Sequence, residues 1–155
     1  MDNKELAAVI EMAIKKEEEA RAFYLNLREK VEDKFARDTL KYLADEETKH
    51  AEYLRTCMAG RYCSSVLGMK DPVDYKIIEH LDKPDIKKNM NSAEVYLIAA
   101  QRELDAHNFY RSLADTYPPG DMKDLLMQMA RQEKLHKEKV EYLYDNTAFP
   151  QTAGG

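Results

Sequence analysis

One pattern occurs twice in this chain, at an offset of 86 positions. Glu17, Ala20, Phe23 and Tyr24 are followed by Glu47 and His50. Glu103, Ala106, Phe109 and Tyr110 are followed by Glu133 and His136. Both copies read Glu-x-x-Ala-x-x-Phe-Tyr, with Glu-x-x-His beginning 30 positions after the first Glu. A pattern repeated in register requires two equivalent halves, each built from two segments.

All four segments carry the periodicity of a helix. The first, about 3–30, has an inward stripe of Leu6, Val9, Ile10, Ala13, Glu17, Ala20, Tyr24, Leu27 and Val31. The second, about 34–59, places Leu40, Leu43, Glu47, His50, Leu54 and Cys57 in line. The third, about 92–116, aligns Tyr96, Ala99, Glu103, Ala106, Tyr110 and Leu113. The fourth, about 121–145, aligns Met122, Leu126, Met129, Glu133, His136, Val140 and Leu143. Spacings of three and four define one helix face. Asp2 with Glu5, Asp33, and Asn91 with Glu94 are the expected caps, and Gly60 the expected stop of the second helix. Pro118-Pro119-Gly120-Asp121 separates the last two helices. Short turns make each pair an antiparallel hairpin. The connection 61–91 holds Gly68, Pro72, Pro84 and the weakly helical DYKIIEHL, and is long enough to cross the bundle. We expect the third helix to start at the end where the first starts. The fold class is therefore all-α: a four-helix bundle of two antiparallel hairpins joined by one long crossover, over residues 1–148, with 149–155 a tail.

Composition agrees. A chain of 155 residues, 44% hydrophobic and 34% charged with only five Gly and five Pro, suits one domain of long solvated helices. Charges interleave to a net −5, without the basic patch that nucleic acid requires. No stretch is apolar enough to span a membrane, and the acidic amphipathic start lacks the layout of a signal peptide. We expect a soluble cytoplasmic protein. Cys57 and Cys63 are too few for a four-thiolate centre, and a reducing compartment argues against a disulfide between them.

Charged residues on the apolar stripes carry the chemistry. Positions i, i+3 and i+7 share one side of a helix, so Glu47 points inward with His50, and Glu133 with His136. Glu17 shares a face with Tyr24, and Glu103 with Tyr110. Four ionised glutamates converging in a core are strongly destabilising unless neutralised. Two divalent cations would balance the four negative charges. An oxygen-rich set with one imidazole per metal suits Fe(II) or Mn(II) better than structural zinc. The two tyrosines are placed to hydrogen-bond the ligand carboxylates from outside. A lone Glu-x-x-His is common on a solvated helix. The whole pattern, repeated on otherwise apolar stripes, is not.

The residues Glu17-x6-Tyr24, Glu47-x-x-His50, Glu103-x6-Tyr110 and Glu133-x-x-His136 resemble the ferritin-like di-iron superfamily, and within it the rubrerythrin family. The resemblance covers all four helices. It implies two iron ions, with manganese or zinc as substitutes. It also implies Glu17 and Glu103 as terminal ligands, Glu47 and Glu133 as bridges, and His50 and His136 completing the pair. The implied activity is reduction of hydrogen peroxide to water, with the six ligands acting through the metals. Typical members append a rubredoxin domain with two Cys-x-x-Cys knuckles. This chain has neither knuckle, so an external donor such as a rubredoxin-like protein is implied. Members also carry an additional Glu one turn after the third-helix ligand, where this chain has Ala106, matching Ala20. A homodimer is implied as well. The rival expectations are a ferroxidase or iron-storage protein using O₂, and a binding or sensing module held together by its metals.

The remaining polar positions are secondary. His107 follows Glu103 by one turn, but its counterpart is Arg21, which points to a helix flank. His80 falls in the crossover as a surface residue. Glu46 and Gln132 precede the bridging glutamates and are placed to orient the histidines. Cys57 reads as ordinary burial, and Met122, Met127 and Met129 as core filling.

Overall fold

The computed structural model describes residues 3–58 and 84–148. Four helices form within them: α1 (Asn3–Arg28), α2 (Lys34–Met58), α3 (Ser92–Ala114) and α4 (Asp121–Ala148). Their caps follow from sequence. Asp33 Oδ2 accepts from the Ala36 amide at 2.9 Å and begins α2. Asn91 and Glu94 form a capping box on α3, satisfying two amides reciprocally. Gly120 precedes α4 at φ +156°, a backbone conformation that L side chains rarely adopt. Asp2, Gly60, DYKIIEHL, His80, Cys63 and the 149–155 tail lie outside the described residues.

Packing is closest within the two hairpins, α1 with α2 and α3 with α4. The loop of the first hairpin is clasped by two arginines. Arg37 Nη1 donates to the Arg28 carbonyl and Arg28 Nε donates to the Arg37 carbonyl, each at 3.2 Å. The hairpins meet along α1–α3 and α2–α4, as side-chain pairs such as Tyr24–Glu103 and His50–Gln132 show.

The expected starting point of α3 is corrected. The Met90 amide donates to the Lys30 carbonyl at 2.8 Å, and Val31 and Met90 form an isolated parallel bridge. α3 therefore starts beside the end of α1 and runs antiparallel to it. The reason is topological: α2 has already returned to the end where α1 starts, so crossing the bundle leads to the opposite end.

Two apolar clusters divide the interior. One gathers Leu27, Val31, Leu40, Leu43, Val95 and Ile98; the other gathers Ile10, Leu54, Met122, Leu126 and Met129. Leu40 and Leu54 are fully buried, and each such side chain contributes about 2 kcal/mol relative to exposure. Cys57 is buried as expected. It is also disulfide-bonded, which a redox-compartment argument blind to the fold did not anticipate. Among the described residues no helix is long and apolar enough to cross a membrane.

Candidate metal centre

Between the two apolar clusters lies a polar layer. Glu17, Glu47, His50, Glu103, Glu133 and His136 are each no more than 2% exposed. Their ligand-type atoms fall into two overlapping groups. Glu17, Glu47, His50 and Glu133 lie within 4.8 Å of one another, and so do Glu47, Glu103, Glu133 and His136. Glu47 and Glu133 belong to both groups, while Glu17 and Glu103 each belong to one.

The atoms are aimed inward. His50 Nδ1 is 3.5 Å from Glu17 Oε2, 3.5 Å from Glu47 Oε2 and 3.4 Å from Glu133 Oε1. His136 Nδ1 is 3.4 Å from Glu47 Oε1 and 3.7 Å from Glu103 Oε1. The two oxygens of Glu47 thus address different histidines, the posture a bridging carboxylate needs. The imidazoles stack at 5.3 Å between centroids.

Each tyrosine serves the other copy of the pattern. Tyr24 Oη donates to Glu103 Oε1 at 2.6 Å, and Tyr110 Oη donates to Glu17 Oε1 at 2.8 Å. Burial, reinforced by the neighbouring carboxylates, raises both phenols well above their usual range, so they remain donors. His50 Nε2 donates to Gln132 Oε1 at 3.3 Å, which leaves Nδ1 as the free nitrogen facing the carboxylates. Glu46 lies in a third group with His50 and His136. Both residues preceding Glu47 and Glu133 therefore stand near the histidines.

Charge in this layer is unbalanced without cations. Burial raises the Glu133 carboxyl well above its usual range, and the charges of Glu47 and Glu103 push the same way. Burial also opposes ionisation of Glu47, but the imidazoles of His136 and His50 close to its two oxygens outweigh it and hold that group low. Burial disfavours charged imidazoles, yet Glu103 and Glu47 push His136 up to about 9, and Glu133 and Glu47 raise His50 well above its usual range. Protons thus stand in for missing positive charge. Glu17 Oε2, both oxygens of Glu47, Glu103 Oε2, Glu133 Oε1 and the two Nδ1 atoms are buried with no hydrogen-bond partner. Orphaned acceptors in this number fit a pair of divalent cations.

The rubrerythrin family model matches residues 8–93 and 94–151. The chain belongs to the rubrerythrin family. The first matched segment of this rubrerythrin carries the Glu17–His50 copy and the second carries Glu103–His136. No curated protein and no solved structure matches the chain.

The His107 ring meets the Ala130 carbonyl at 2.7 Å, so it braces α3 against α4 and stands in none of the three groups. Met122 and Met129 are buried core, and Met127 is partly so. Sequence reading missed a buried ion pair on α4: Lys137 Nζ lies 3.0 Å from Glu141 Oε1, each side chain 1% exposed. Ala51 and Arg55 hold the equivalent positions on α2, so the repeat offered no signal. It also missed Lys16 and Arg102, which line the cavity above the carboxylates. Those two are themselves offset by 86, a signal that was present.

Proposed function

We propose that this rubrerythrin-family protein is a di-iron oxidoreductase that reduces hydrogen peroxide to water with electrons from a separate redox protein. The carrying observation is the pair of overlapping carboxylate–imidazole groups, buried and orphaned, with Glu47 and Glu133 common to both. In this reading Glu17, Glu47 and His50 with Glu133 hold one iron, and Glu103, Glu133 and His136 with Glu47 hold the other. Four carboxylates against two divalent charges leave the core neutral. An oxygen-rich set with one imidazole per metal favours Fe(II), with Mn(II) or zinc as substitutes.

When bound, the two ferrous ions supply one electron each, so that H₂O₂ with two electrons and two protons becomes two H₂O. The chain supplies position, dielectric and access. Tyr24 and Tyr110 keep their protons and fix Glu103 and Glu17 from outside the pair. Gln132 holds the His50 ring in one orientation. Apolar clusters pack on both sides of the site, and a cavity of about 140 Å³ reaches it between α1 and α3. That cavity admits a small oxidant and little else. Ala106 contributes no carboxylate there, so the space belongs to the incoming molecule.

Stopped-flow mixing of anaerobic protein carrying two Fe(II) per chain with H₂O₂, and separately with O₂, tests the proposal. Faster oxidation by peroxide, reversed by a reductant, is expected. Faster oxidation by O₂ with accumulating ferric iron would move the assignment to ferroxidase or storage. Glu47→Ala and Glu133→Ala are each expected to bind fewer than two metals and lose turnover. Wild-type behaviour in both would sink the assignment. Light scattering checks the homodimer that completes the proposal.

A further inference from the structure

We propose that Lys16 and Arg102 form a paired gate that steers small monoanions into the slot between α1 and α3. This rests on the di-metal reading above. The slot is walled by Lys16, Ala20, Arg102, Ala106 and Phe109, and its floor is the four glutamates of the metal centre. Ala20 and Ala106 stand at equivalent positions of the two copies, and their short side chains leave the floor open.

The cations occupy the two sides of this opening symmetrically. Lys16 Nζ lies 4.5 Å from the centroid of Phe109, and Arg102 Cζ lies 4.2 Å from that of Phe23. Lys16 and Arg102 are related by the same offset of 86 as the glutamates, and so are Phe23 and Phe109. Each cation therefore rests on the aromatic ring of the other copy, closing α1 onto α3 from both ends of the slot. A cation on a ring face is held by the ring's quadrupole without being neutralised. Neither has a carboxylate partner among the described ion pairs, and Arg102 Nε is buried with no hydrogen-bond partner.

Charge at the opening decides what it attracts. Two divalent cations cancel the four glutamates of the floor. Among the described residues, Lys16 and Arg102 then face Asp105, the other charged residue on the slot wall. The opening is locally positive on a chain whose net charge is −5. Low-dielectric walls focus such a field, which raises the arrival rate of anions and does little for neutral molecules. A small monoanion leaving water exchanges part of its hydration for the two side chains, which stand above the residues that would hold the metals. Lys16 is exposed and Arg102 half-buried, so both have room to swing from ring to ligand.

Azide binding to the diferric protein, followed by its charge-transfer band, tests the gate without turnover. Nitric oxide binding to the diferrous protein serves as the neutral control. Removing both charges in Lys16→Met/Arg102→Gln should slow azide association about tenfold at low ionic strength and weaken its fall with added salt, while nitric oxide changes by less than about twofold. Exchanging the cations in Lys16→Arg/Arg102→Lys should retain wild-type azide association. An unchanged azide rate in the charge-free variant would overturn the proposal. So would equal loss of azide and nitric oxide, which marks a packing role. Metal content is measured first: a wild-type chain that takes up no metal pair overturns both this inference and the reading beneath it.

Discussion

At the scale of single residues, the centre depends on who holds whom. Tyr24 fixes Glu103 and Tyr110 fixes Glu17, each from the opposite copy of the pattern. Tyr24→Phe removes one buried hydrogen bond and leaves a carboxylate oxygen without its donor. We expect a loss of about 1–3 kcal/mol in the metal-free protein, measured by urea denaturation. Weakening an outer partner of a ligand also lowers metal affinity, by about 10–100-fold in comparable sites, and a Co(II) titration reads that directly. The six inward residues were legible because charges on apolar stripes, duplicated in register, have few innocent explanations. The tyrosine partners were less legible. Sequence spacing puts Tyr24 on the face of Glu17, seven positions away, whereas its hydrogen bond crosses to Glu103. Spacing along one helix says which way a side chain points and not which neighbouring helix it meets.

At the scale of elements, caps and stripes carried most of the information. Asp33 and Asn91 lie where short polar side chains precede apolar periodicity, and both accept the expected amides. Asn91→Ala should cost about 1 kcal/mol, visible as a fall in melting temperature of about 2–4 °C. Leu54→Ala, at a position with no solvent exposure, should cost about 2–5 kcal/mol, measured by the same denaturation. A smaller loss would show that α2 closes over the cavity. The direction of α3 was misread although the expected hairpin and crossover imply it: α2 returns to the start of α1, so a chain that crosses the bundle begins α3 at the other end, where Met90 meets Lys30. Lys137 and Glu141 were unreadable for a different reason: an i,i+4 ion pair on a helix is ordinarily solvated, and burial of this one comes from the tertiary fold.

For the whole molecule, protons and metals compete for the same interior. His136 is raised from 6.5 to about 9, so its stabilising contribution is complete below 6.5 and is lost as pH rises through about 9. Glu133 is raised from 4.5, so its ionisation in the folded state also opposes folding as pH climbs. Glu47 is lowered, and its contribution is lost only as pH falls below 4.5. The metal-free protein should therefore melt at lower temperature as pH rises from neutrality through about 9. The metal-loaded protein should resist that decline, because bound cations already hold these ligands deprotonated. Parallel melting curves at several pH values check this, and a metal-induced gain that does not grow with pH would contradict it.

The packing within hairpins and the side-chain bridges between them have a mechanical consequence. The molecule is two stiff halves on a clasp, and in the proposed di-metal state the cations would be the pin. Pulling the pin with a chelator should leave each half wound while the clasp breathes. Amide exchange should then quicken first in the turns of α1 and α3 around Glu17 and Glu103, well ahead of the Leu27–Leu40 end of the bundle.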